Sequence, residues 1–262
     1  MLESASSGDL DGRSRARALR VVQQLIDALH QAFCRGGEGG EEAESVLSET
    51  VNDIVRISVS VLEESMESSI HSLPAAACAR RALGVLSSLA QLFPFALGDM
   101  GEGLVDAILS ASTKALGAFV EGVVEGGMEG EEVEGGGDGY DSEDDGVSDS
   151  PLSAVLLKVC VFFETILPVW EEQETLCEVI CDPKLLVPLA KYTLVVSQLP
   201  NSAAAEWEDD PAAYVDQEDE EPAVHTPRGA AASLMSVLVR VLREDAVRAV
   251  LRACEDVVES TG

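Results

Sequence analysis

The chain has 262 residues, 46% of them apolar, which is enough to bury a hydrophobic core in one or two domains. Its 48 acidic residues against 17 lysines and arginines give a formal net charge of −31. A field of this sign repels nucleic-acid backbones and anionic membranes and attracts basic proteins, so the composition argues against nucleic-acid binding.

The first half of the sequence predicts four helices. Apolar residues recur at helical spacing, and no convincing alternating pattern indicates a strand, so the predicted fold is all-α. The first helix covers 13–35, and others follow at about 42–71, at 79–93 and at 103–124. The predicted apolar face of the first helix consists of Leu19, Val22, Leu25, Ile26, Leu29 and Phe33.

The third helix pair is predicted between two clusters of acidic residues. Its first helix covers 150–170, with Ser150 as a possible N-cap and Pro151 in the first turn. Its second helix covers 171–199 and is interrupted near the Cys-Asp-Pro sequence at 181–183.

The last pair is predicted at 226–243 and 244–260, with Thr226 as N-cap and Pro227 as the first helical residue. Helix pairs stacked in sequence predict a HEAT-repeat α-solenoid of about four antiparallel helix pairs with two long acidic loops. A closed helix bundle is the alternative. The predicted organisation is helix pairs 1 and 2 at 1–124, an acidic loop at 125–149, helix pair 3 at 150–199, an acidic loop at 200–225 and helix pair 4 at 226–262.

The two acidic loops carry most of the charge. Segment 125–149 has eleven carboxylates and segment 206–222 has nine, and neither has a lysine or arginine. Each loop follows the second helix of a pair, so a regular solenoid places both on the same edge, where they can act on one ligand. The usual alternative is that such acidic runs are a solvated surface.

The second loop also contains two aromatic residues, Trp207 and Tyr214, among its acids. An aromatic ring beside carboxylates can hold a lysine or arginine side chain through a cation-π contact combined with ion pairing. The alternative is that the two rings only pin the loop to the helices. The glycine-rich first loop has instead the composition of a disordered, solvated charge run.

Motifs for catalysis or metal binding are not found. The chain has three histidines and lacks the serine-hydrolase, zinc-protease and phosphate-loop patterns, so we predict no enzyme, no cofactor and no metal site. Cys177 and Cys181 lie four residues apart without a completing histidine, which favours structural thiols. Scattered cysteines and an opening without an apolar signal indicate a reducing interior, and the charged residues and proline within 150–170 argue against membrane insertion.

The second loop resembles a segment of the importin-β (karyopherin-β) family, in which a Trp, an Asp-Pro pair, an aromatic-Val pair and an acidic run precede an Arg and the next HEAT helix. The upstream stretch from Tyr140 to Leu167 is similar to the preceding part of the same proteins. The matching positions are Trp207, Asp210, Pro211, Tyr214, Val215, Glu218, Asp219, Glu220 and Arg228.

The resemblance implies a nuclear transport receptor that carries basic cargo, such as histones or ribosomal proteins, and releases it to Ran-GTP. It also implies nucleoporin contacts through the full-length receptor and shuttling between cytoplasm and nucleus. An acidic histone chaperone or a helical-repeat interaction scaffold without a transport role is the alternative. The predicted cargo-binding residues are Trp207, Asp209, Asp210, Tyr214, Asp216, Glu218, Asp219, Glu220 and Glu221, with Glu143, Asp144 and Asp145 as a second, looser contact.

Overall fold

A computed structural model of the chain describes residues 12–35, 41–67, 73–93, 102–120, 151–171, 178–198, 207–212 and 226–261. Within these ranges the structure is helical, without strands, and the predicted all-α class is confirmed. The main helices are α1 (Gly12–Arg35), α2 (Glu41–Glu67), α3 (Leu73–Leu92), α4 (Glu102–Phe119), α5 (Pro151–Glu171), α6 (Pro183–Val196) and α7 (Pro227–Thr261). The predicted N-cap at Ser150 lies outside the described residues.

Side-chain caps fix where the last two helices begin. The Asp182 carboxylate accepts a hydrogen bond from the backbone N–H of Lys184 at 2.9 Å, and Pro183 is the first residue of α6. The Thr226 hydroxyl accepts one from the N–H of Gly229 at 3.1 Å at the start of α7. The predicted cap at Thr226 and the predicted break near 181–183 are therefore confirmed.

Helix α7 is interrupted at Arg243, whose backbone has φ 49° and ψ −115°. Positive φ is uncommon for a residue with a side chain, and it ends the regular helix at this position. Two helical halves result, 227–242 and 244–261, close to the predicted 226–243 and 244–260. The Arg243 guanidinium lies 3.7 Å from the Glu171 carboxylate and so connects this corner to the end of α5.

The helices pack in two rows of alternating members. In one row α1 packs on α3, α3 on α5 and α5 on α7, and in the other α2 packs on α4 and α4 on α6. Contacts of α2 with α3 and of α4 with α5 join the rows, and α7 packs on α6 as well as on α5. Each helix is thus placed against the helix two positions along the chain.

Contacts between α1 and α3 show that these two helices run in the same direction. Near their starts, the Cys78 thiol donates a hydrogen bond to the Gly12 carbonyl oxygen at 3.2 Å. Near their ends, the rings of His30 and Phe93 meet edge to face with centroids 5.6 Å apart.

An ion pair between α1 and α2 and a close approach of α4 to α6 are two further contacts between helices. The Arg15 guanidinium at the start of α1 contacts the Glu64 carboxylate near the end of α2 at 2.7 Å. Near the end of α4, Gly117 faces the ring of Tyr192 in the second half of α6. A Cβ at position 117 would lie 3.1 Å from that ring, so the missing side chain permits α4 and α6 to approach closely.

Buried apolar side chains from all seven helices form one continuous core. The largest fully buried side chains are Phe93, Phe162, Phe163, Leu19, Ile26, Leu62, Leu83, Leu86, Leu89 and Leu116. The predicted apolar face of α1 is only partly correct. Leu19, Val22 and Ile26 are buried, whereas Leu25 and Leu29 are 45% and 41% exposed, because α3 covers only one side of α1. The side chain of Phe33 lies outside the described residues.

Candidate functional site

The described part of the second acidic loop is a short turn at 207–212, which we call the tryptophan turn. Residues 207–209 and 211–212 are helical and Asp210 interrupts them. Every residue of the turn is exposed, and the Trp207 side chain is 45% exposed. The sequence places Glu208, Asp209 and Asp210 directly after this ring, so an aromatic surface and three carboxylates meet water within four residues.

This arrangement suits the side chain of a basic partner. The half-open indole offers a negative π face and apolar area to the stem of a lysine or arginine, and the neighbouring carboxylates accept its N–H groups. A turn with carboxylates but without an aromatic ring would attract a cation and would not fix its position. The combination therefore supplies both attraction and an anchor for one basic side chain.

The alternative role for the ring, pinning the loop, is compatible with the same turn. Trp207 and Asp210 each take part in interactions within the chain. About half of the indole is nevertheless open to water. Pinning and partner binding can thus use different parts of one ring, and the open part is the one available to a ligand.

The structure brings together three of the predicted cargo-binding residues: Trp207, Asp209 and Asp210. Glu208 belongs to the same exposed turn and is missing from the prediction, although its place between Trp207 and Asp209 pointed to it. The other predicted residues lie outside the described part of the chain, so their joint action with the turn stays a prediction. They are Tyr214, Asp216, Glu218, Asp219, Glu220, Glu221, Glu143, Asp144 and Asp145.

Several arginines of the described helices pair with acids of the same helix or of a neighbouring helix. Arg248 contacts Glu244 at 3.0 Å and Asp245 at 3.2 Å, and Arg56 contacts Asp53 at 3.0 Å. These pairs are exposed and contribute little to stability, about 0–1 kcal/mol each. Because these arginines are already paired with acids, the remaining carboxylates determine the sign of the electrostatic field around the protein.

Two buried thiols are held in their neutral form. Burial raises the pKa of the Cys160 thiol to about 12, with a further contribution from the Glu164 carboxylate. Burial also raises the pKa of Cys78, although the Arg15 guanidinium opposes this shift. A thiol becomes a nucleophile or a metal ligand as its thiolate, so neither group is prepared for that chemistry at neutral pH. Both behave as the small core residues that the sequence predicts.

Groups suited to metal or small-molecule binding are sparse in the described ranges. Among those residues no three His, Cys, Asp or Glu side chains lie together as a metal-binding set. A cleft of about 90 Å³ between α6 and α7, lined by Cys181, Leu186 and Arg248 among others, is smaller than the roughly 300–1,000 Å³ of a typical ligand pocket. Cys177, the predicted neighbour of Cys181 on one helix face, lies outside the described residues.

None of the described helices has both the length and the apolarity that a membrane span requires, and this includes α5, the most apolar segment of the sequence.

No protein-family model matches this chain, and no curated protein sequence matches it. The resemblance to the importin-β family, with the receptor function that it implies, therefore remains a hypothesis carried by the residues of the second acidic loop.

Proposed function

We propose that this chain is a non-enzymatic helical-repeat protein that binds a lysine- and arginine-rich protein, and that it is a segment of a nuclear import receptor of the importin-β type. The observation that carries the binding function is the tryptophan turn. Trp207 is half exposed beside three exposed carboxylates in a chain of net charge −31. The expected cargo is a histone or a ribosomal protein.

The proposed scaffold is a HEAT-type α-solenoid of about four antiparallel helix pairs. The pairs are α1 with α2, α3 with α4, α5 with α6, and the two halves of α7. Helix packing between positions i and i+2, the Arg15–Glu64 contact between α1 and α2, and the shared direction of α1 and α3 support a stacked repeat, in which the main contacts between consecutive helices join α2 to α3, α4 to α5 and α6 to α7, that is, one proposed pair to the next. A closed bundle would pack its first helix against its last, whereas among the described helices α1 packs mainly on α3 and α7 on α5 and α6.

In the proposed complex, a lysine or arginine of the cargo lies over the open face of Trp207 while Asp209 and Asp210 pair with its charge. The acidic run that includes Asp216, Glu218, Asp219, Glu220 and Glu221 adds long-range attraction, and Tyr214 offers a second ring. Glu143, Asp144 and Asp145 of the first acidic loop make a looser contact with the same cargo. Exposed charges of this kind accelerate association and make it sensitive to salt.

The transport role adds a release step to this binding. Resemblance to the importin-β family supports cargo release by Ran-GTP, contacts with nucleoporins through the full-length receptor, and shuttling between cytoplasm and nucleus. A histone chaperone built on the same scaffold would hold a basic protein without responding to Ran-GTP. Ran-GTP therefore separates the two functions.

The binding function is tested by titrating the chain with a core histone dimer at about 50 and about 150 mM salt. We expect affinity to fall with salt and Trp207→Ala to weaken binding about 5–30-fold, corresponding to about 1–2 kcal/mol at a binding hot spot. Val161→Ala is the matched control, because Val161 on α5 is also 45% exposed but lies outside the acidic loops. Equal affinities for both variants would leave Trp207 without a binding role.

A second pair of variants separates local contact from net charge. Asp209→Asn/Asp210→Asn and Glu49→Gln/Glu63→Gln each remove two negative charges from exposed carboxylates. We expect the first double variant to weaken histone binding several-fold more than the second. Equal losses would mean that cargo senses only the total charge. Addition of Ran-GTP to the full-length receptor with bound cargo then tests transport, and cargo that stays bound would favour the chaperone.

A further inference from the structure

The second half of α7, residues 244–261, carries an open apolar strip. Val247, Leu251 and Val258 are 45%, 60% and 70% exposed, and Cys254 on the same strip is half-buried. These four residues follow one another at intervals of four, three and four, which is the spacing of the contact positions in a two-helix coiled coil. We call them the α7 seam.

The α7 seam is distinct from the face with which the same helix packs on its neighbours. Ala246, Ala249 and Ala253 are buried in the core shared with α6 and α5. On a helix the centre of the seam lies roughly 140° away from the centre of this alanine face, because each residue turns the helix by about 100°. One side of the helix is therefore used inside the chain, while another side exposes its largest apolar residues to water.

From this geometry we propose that the α7 seam pairs with the α7 seam of a second copy of this chain, the two helices running antiparallel around a twofold axis near residue 252. In this register Val247 faces Val258 of the second copy and Leu251 faces Cys254 of the second copy. Twofold symmetry repeats each contact, so every seam residue gains an apolar partner.

Charges beside the seam favour this antiparallel register. Arg248 and Glu255 are both exposed and lie seven residues apart on the same edge of the seam. Antiparallel pairing places Arg248 opposite Glu255 of the second copy, and symmetry gives two such ion pairs. A parallel register would place Glu255 opposite Val250 instead, leaving that carboxylate without an opposite charge. Opposed e and g charges set orientation in helix pairs.

The other edge of the seam is apolar. Val250 and Val257 are half-buried, and the antiparallel register places them opposite each other across the axis. Arg248 already contacts Glu244 and Asp245, but these exposed pairs are weak and can be exchanged for the new one at little cost. Each edge of the seam therefore makes a favourable contact with the same edge of the second copy, about the twofold axis that also aligns the seam.

The expected dimer is weak and becomes tighter with salt. Two short helices bury less than the roughly 1,600 Å² of a standard interface, so we expect a dissociation constant on the order of 10 µM. Each copy carries a net charge of −31, and the resulting repulsion is screened as ionic strength rises. Histone binding should weaken with salt instead, so the two interactions can be told apart.

The test is sedimentation equilibrium of the full chain from about 1 to about 200 µM, with circular dichroism to check folding. We expect a monomer–dimer equilibrium that Leu251→Asp shifts at least tenfold towards monomer. Leu29→Asp is the matched control, because Leu29 is similarly exposed on α1 at the far end of the helix row. A monomer at every concentration, a Leu251→Asp variant that still dimerises, or a loss of dimer with Leu29→Asp would overturn the proposal.

A charge exchange tests the register itself. Arg248→Glu and Glu255→Arg, each alone, place like charges opposite one another and should weaken the dimer several-fold. The double variant Arg248→Glu/Glu255→Arg restores opposite charges and should recover most of the wild-type association. Recovery with the double variant identifies the antiparallel pairing, whereas additive losses would contradict it.

Discussion

Helix α5 and the second half of α7 both place apolar residues over a broad part of their surface, but the structure uses them differently. In α5, Cys160, Phe162 and Phe163 are fully buried, because α3, α4 and α7 all pack on this helix. In the second half of α7, Leu251 and Val258 remain mostly in water. A helical pattern of apolar residues therefore indicates which residues can be buried, and the packing of neighbouring helices determines which of them are buried.

The largest effect that this comparison predicts is at Phe163. Replacing Phe163 by Ala removes a fully buried ring from the centre of the helix row and should lower the free energy of unfolding by about 3–5 kcal/mol. Val161→Ala on the same helix is the control, since its exposed side chain should contribute less than about 1 kcal/mol. Urea unfolding followed by circular dichroism measures both. Similar losses would mean that α5 is not an interior helix.

The second largest effect concerns the thiol of Cys160, which is buried on α5, compared with the half-buried thiol of Cys254 on α7. Because burial raises the pKa of Cys160 to about 12, the native state keeps a proton that the unfolded chain releases from about pH 9. The stability from this group is complete below pH 9 and decreases by about 1.4 kcal/mol per pH unit between pH 9 and 12. The free energies of unfolding of wild type and Cys160→Ala should therefore approach each other as the pH rises. A difference that stays constant with pH would contradict the raised pKa of Cys160.

The exposure of the two thiols also predicts their reactivity. Cys254 on the α7 seam should be alkylated before Cys160 at pH 8.

The smallest effect is expected at Leu251. In a monomer, Leu251→Ala removes a side chain that is 60% exposed, so the free energy of unfolding at about 1 µM protein should change by less than about 0.5 kcal/mol. At about 200 µM the same variant should lose the concentration-dependent stabilisation of the wild type, because dimerisation favours the folded state. A large loss at the low concentration would place Leu251 in the core of the monomer.

Several helix starts and ends could be predicted from the sequence, because their signals are local. The start of α7 follows from Thr226 and Pro227, whose cap and fixed φ need no distant partner. The predicted division of the last pair into 226–243 and 244–260 agrees with the interruption at Arg243. The Asp182 cap is not among the sequence-based predictions, although Pro183 beside it favours a helix start. The tryptophan turn could be predicted as a candidate site, because a tryptophan among acidic residues is recognisable from the sequence alone.

What the sequence determined by itself is the all-α class, the approximate positions of most helices and the concentration of negative charge in two segments, since periodicity, caps and charge are properties of neighbouring residues. The start of α3 at Leu73 lies six residues before the predicted start at 79. Only the tertiary structure decided that Leu25 and Leu29 are exposed while Leu19 and Ile26 are buried, and that Arg243 adopts a positive φ. It also decided that Val247, Leu251 and Val258 form an open strip. The physical reason is that burial depends on which helix packs on which face, and helices far apart in the sequence supply those faces.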